Sequence, residues 1–74
     1  MSTYAIIYEG PSHEGGNWSA HVPDLPGCVG AADTFEECRM MMAEAVAAHV
    51  AFMRARGVPV PDPITRVEEL SVAA

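Results

Sequence analysis

The stretch from Thr34 to Gly57 constrains the fold more than any other part of the chain. Thr34-Phe35-Glu36-Glu37 reads as a capping box, with Thr34 as N-cap and Glu37 three residues later to reach back. From Phe35 the positions 35, 38, 42, 45, 46, 49 and 53 advance by threes and fours, forming one face of an amphipathic helix. Glu36 and Glu37 sit at the positive end of the helix dipole, and Arg54 and Arg56 at its negative end. Gly57 suits the C′ position and Pro59 forbids continuation. The spacing predicts a helix over 34–56.

The residues before it read as three short strands. Tyr4-Ala-Ile-Ile-Tyr-Glu9 is β-branched and aromatic without a turn former. Gly10, Pro11, Ser12, Gly15, Gly16 and Asn17 then mark a loop. Trp18-Ser-Ala-His-Val22 alternates apolar and polar, as a strand with one buried face does. In Pro23-Asp24-Leu25-Pro26-Gly27-Cys28, Pro26 and Gly27 suit the central positions of a type II turn, where Gly accepts the positive φ. Pro23 removes a backbone donor and limits the second strand. Residues 28–33 form a third strand of small side chains.

After the helix, Val58-Pro-Val-Pro-Asp-Pro63 is a stiff connector over 58–63. Residues 64–74 follow as a strand or a tail, and Val67, Leu70 and Val72 do not alternate cleanly. The expected order is β-β-β-α-β, within one domain over 1–74. A helical crossover would set a fourth strand parallel to the first. One helix covers one face of the sheet, yet strand one is apolar on both: Ala5 and Ile7 on one side, Tyr4, Ile6 and Tyr8 on the other. A second copy or a partner is expected as the lid, with Tyr4, Ile6 and Tyr8 as the oligomer interface.

Composition narrows the function. At 74 residues a chain buries roughly 60% of its unfolded surface, a marginal core without a partner. It has no lysine, four arginines and ten acids, a net charge of −6. Such a surface repels phosphate backbones and complements a basic protein. The N-terminus lacks the basic start and apolar run of a secretion signal. No stretch reaches the ~18 apolar residues of a membrane span. Cys28 and Cys38 are too few for a secreted disulfide framework. A cytoplasmic protein with reduced thiols is expected.

Several motifs together resemble the HicB-like antitoxin family. Trp18 to Cys28 is similar to its aromatic-x-A-x-V-P-D-L-P-G-C segment. Asp33-Thr34-Phe35-Glu36-Glu37 is similar to G-D-T-x-E-E, Glu44-Ala45-Val46 to E-A-I, and Gly57 to Pro63 to G-x-P-I-P-x-P. Gly30 and Ala32 occupy positions where the family varies. The resemblance covers nearly the whole chain. It implies a partial RNase H-like α+β fold, with one helix packed on a three- to four-stranded sheet. It also implies an antitoxin that forms a homodimer or homotetramer and masks a small basic HicA-like, mRNA-cleaving toxin. Longer members carry a C-terminal DNA-binding domain for repressing their own operon. This sequence stops at Ala74, so that activity is expected to be absent.

Candidate chemistry competes with simpler roles. A two-metal nuclease needs a carboxylate within its first strand, and Tyr4 to Tyr8 contains none. Cys28 with His21 or His49 suggests a nucleophile and base, but packing explains Cys28 and Cys38 without any third orienting group. His13, His21, His49, Cys28 and Cys38 lack the short spacings of a zinc site. Gly10 to Gly16 lacks the G-K-[S/T] ending of a phosphate loop. No catalytic, metal or cofactor residues are therefore expected. Met42 and Met53 belong to the core stripe, whereas Met40 has an exposed phase. Asp24, Asp33, Glu36 and Glu37 cluster near the turn and helix start, where solvation and capping also account for them. With Met40 they are the expected toxin-binding residues. The competing reading from another class is an orphan structural or ligand-binding module of the same fold, without a toxin.

Overall fold

The computed structural model describes residues 2–73; Met1 and Ala74, the ends of the expected domain, lie outside the described residues. Three strands, β1 (Ile7–Glu9), β2 (Trp18–His21) and β3 (Val29–Ala32), precede one helix, α1 (Phe35–Ala55). The strands form an antiparallel meander in the order β1-β2-β3. Tyr8 stands opposite Ala20, which stands opposite Gly30, and Ile7, His21 and Val29 form the neighbouring row. Side chains alternate across a strand, so the rows belong to opposite faces. The fold is α+β.

Turn chemistry sets the strand limits. Pro23 has no N–H to offer, and the Val22 N–H donates to the Cys28 carbonyl at 3.0 Å. Regular pairing therefore ends at His21 opposite Ile7, and β1 is shorter than the expected 4–9. The Cys28 N–H donates to the Leu25 carbonyl at 3.0 Å, with Gly27 at φ 86°, the type II turn required by Pro26-Gly27. That turn carries Leu25 into the core, where it is fully buried.

The helix is capped at both ends. The Thr34 hydroxyl accepts from the Glu37 N–H at 3.2 Å and donates to the Glu37 carboxylate at 3.0 Å. Glu37 thus returns to the capping hydroxyl. At the other end Val58 N–H donates to the Met53 carbonyl at 2.9 Å and Gly57 N–H to Arg54 at 3.1 Å, with Gly57 at φ 69°, a Schellman closure. Cys38 and Met42 point into the core with Ala20, Val22, Leu25 and Cys28. Gly30 admits the helix: a Cβ there would sit 2.9 Å from the Met42 sulfur. Phe35 closes the end of the core against Tyr8 and Trp18, with ring centroids 5.1 and 5.0 Å apart.

Two expectations are corrected. Tyr4, Ile6 and Tyr8, expected on the side away from the helix, pack half-buried against the helix-side core. The open face instead carries Ile7, His21 and Val29. The option of a strand within 65–72 is not taken: residues 64–73 belong to no strand. Its entry is diverted, because the Ile64 and Thr65 N–H groups donate to Asp24 Oδ2 at 3.1 and 2.9 Å. The sheet has three strands.

Candidate partner-binding surface

The helix lies across β2 and β3, which leaves the flank of β1 without a full cover. A trough results between β1 and one side of α1. Its first part has a volume of about 390 Å³ and is lined by Ile6 and Tyr8 from the strand side and Glu36, Arg39, Met40 and Ala43 from the helix. A second part, about 650 Å³, is lined by Tyr4, Val46, Ala47, Val50, Ala51 and Arg54, with Val60 and Pro61 at its end. The helical positions recur every three or four residues, so they form one stripe beside the buried one. Its members range from alanine and valine (Ala43, Val46, Ala47, Val50, Ala51) to long side chains (Glu36, Arg39, Met40, Arg54).

The structure brings part of the expected site together. Met40, 69% exposed, stands with Glu36 beside Ile6 and Tyr8. Two surfaces inferred separately, for a toxin and for a second copy, therefore meet in one trough. Glu36 accepts from Arg39 at 3.3 Å on the exposed helix surface, a bridge of small energetic weight. Arg39 also lies 5.8 Å from the Phe35 ring centroid.

The remaining acids do not converge there. Glu37 is engaged with the N-cap, and Asp33 is exposed just before it. Asp24 works inside the fold. Its carboxylate accepts from the Ile64 and Thr65 N–H groups and from the Thr65 hydroxyl at 2.9 Å, tying the C-terminal segment to the β2–β3 turn. The Tyr4 hydroxyl adds a second tie, donating to the Pro61 carbonyl at 2.6 Å. Nothing near either residue in the sequence signals these contacts, which span 40 or more positions.

The candidate reactive groups have structural placements. Cys28 is 3% exposed, and burial pushes its thiol pKa upward, opposite to the shift a nucleophilic thiolate needs. Cys38 is fully buried. His21 lies on the open sheet face between Ile7 and Val29, His49 is half-buried on the helix, and the His13 ring contacts the Glu14 carbonyl in the first loop. Among the described residues no three His, Cys, Asp or Glu side chains gather as metal ligands. No helix among them is long and apolar enough to cross a membrane.

The structure is a small α+β scaffold with an open trough between β1 and α1, lined by both apolar and charged side chains. The sequence model described as HicB_like antitoxin of bacterial toxin-antitoxin system matches residues 4–73. The chain belongs to this family of antitoxins. No curated protein and no solved structure gives a significant match.

Proposed function

We propose that this chain neutralises a small basic HicA-like toxin by binding it and masking its mRNA-cleaving surface. The family match over residues 4–73 carries the reading, and the net charge of −6 supports it, since opposite fields steer association. The antitoxin acts without catalysis and without binding nucleic acid itself. It works in the cytoplasm, with Cys28 and Cys38 reduced. The three strands and helix form a partial RNase H-like fold, a single domain over 1–74. The protein self-associates, with the half-buried Tyr4, Ile6 and Tyr8 at the flank of β1 beside α1 as the contact. Of the residues singled out in the sequence, Met40 and Glu36 face the toxin, since both line the trough; Asp33 is exposed before the helix, whereas Asp24 and Glu37 serve the fold.

Co-expression with the product of an adjacent gene for a short basic protein tests this reading. The two are expected to co-purify as a defined complex, with affinity falling at least ~10-fold as salt is raised beyond physiological strength. Binding no tighter than to an unrelated basic protein of similar size would refute it.

A further inference from the structure

We propose that the aromatic corner of Tyr8, Trp18 and Phe35, together with the Glu69 carboxylate, receives one arginine side chain of the basic partner. The inference rests on the toxin-binding reading above and names a contact within it, beside the trough.

A third cavity, about 350 Å³, adjoins the trough at Ile6 and Tyr8 and extends to Trp18, Phe35, Val67 and Glu69. Phe35 stands 5.1 Å from Tyr8 at 76° and 5.0 Å from Trp18 at 52°, so the rings form an angled wall and not a stack. All three are half-buried, packed on one side and open on another. Gly10 backs the indole so closely that a Cβ there would lie 3.0 Å from it. The face of an aromatic ring attracts a cation, and the planar guanidinium of arginine stacks on it. The chain itself shows this preference: Arg39 lies 5.8 Å from the Phe35 centroid. Arg39, however, lines the neighbouring part of the trough and is bridged to Glu36.

Charge separates this cavity from the other two. The parts of the trough each hold a cation and an anion, Arg39 with Glu36 and Arg54 with Asp62. The third cavity has Glu69 alone, and among the described residues Glu69 makes no salt bridge. Arg66 does not cancel it. Val67 and Glu69 line the cavity while Arg66 and Glu68 do not, as alternation along an extended segment requires. The Asp24 clamp on the Ile64 and Thr65 N–H groups anchors the segment just before Glu69. An arginine entering here lays its stem on Ile6 and Val67, its guanidinium against the rings, and donates to Glu69. The net charge of −6 draws such a partner from a distance, and the cavity gives one of its cations a defined seat.

Trp18 is the chain's one tryptophan, so its fluorescence and its indole N–H resonance report on the cavity directly. The probe is an acetylated, amidated Gly-Arg-Gly peptide, compared with its citrulline counterpart, which keeps the shape and lacks the charge. The arginine peptide is expected to shift the Trp18 signals saturably in the millimolar range, and the citrulline peptide to bind at least about threefold more weakly. Glu69→Gln should weaken arginine binding about threefold. Glu68→Gln, the same loss of charge on the other side of the segment, should weaken it less than about 1.5-fold. Both positions are exposed, so circular dichroism should show an unchanged fold. Equal binding of the two peptides, or equal weakening by the two substitutions, would overturn the site. An arginine peptide that leaves Trp18 unmoved, while the basic product of the adjacent gene still binds, would overturn the site and spare the toxin reading. The expected peptide response without any binding of that product would uphold the site and refute the toxin reading.

Discussion

Replacing Asp24 by Ala removes the shared acceptor of two backbone N–H groups and one hydroxyl. Because the site is only partly buried, water replaces some of what is lost, and the expected cost is about 1–2 kcal/mol. The distinctive consequence is local: amide exchange at Ile64 and Thr65 should accelerate far more than in α1. Equal acceleration throughout would show that the clamp does not hold the segment separately. At Cys28, burial raises the folded thiol pKa above its unfolded value. The folded state then keeps its proton where the unfolded state loses it. This contribution to stability is fully present below the unfolded thiol pKa and is lost as pH rises toward the folded value. Thermal midpoints should therefore fall above about pH 9, and Cys28→Ala should flatten that alkaline limb relative to its own neutral value. Cys28 was legible as a packed residue from its place after a tight turn. Asp24 was not legible, because its partners come from the far end of the chain.

At the scale of elements, the helix was read closely because its signals are local and mutually consistent. Thr34, the stripe through Cys38 and Met42, and Gly57 act within one or two turns of themselves. Thr34→Ala should cost about 1 kcal/mol by urea denaturation. Met42→Ala, at a fully buried site, should cost about 2–5 kcal/mol. Met40→Ala should change stability by less than about 0.5 kcal/mol, and its effect should be found in association. A Met40 variant as destabilised as the Met42 variant would place Met40 in the core. The strands were legible in number and order but not in extent. Pairing ends where Pro23 removes a donor, so half of the apolar run from Tyr4 lies outside regular β1. The face of strand one that meets the helix was misassigned, because both faces are apolar and alternation alone cannot choose between them. Only the register Tyr8–Ala20–Gly30 decides it, through the glycine that lets Met42 approach.

For the whole molecule, charge and family agree on the kind of partner, while the trough between β1 and α1 indicates where surface is available. No sequence motif marks the trough. It exists because α1 lies over β2 and β3 and because, among the described residues, no fourth strand pairs with β1. The acidic residues noted near the helix start prove divided in role: Asp24 and Glu37 serve the fold, whereas Glu36 lines the trough. Silencing of a toxin by stoichiometric contact with this domain is decided by an RNA-cleavage assay. The product of an adjacent gene for a short basic protein would be purified and titrated with the full chain. Cleavage should fall to background at a fixed ratio of chains to toxin and return at high salt. Undiminished cleavage in the presence of a large molar excess of the folded chain would contradict it.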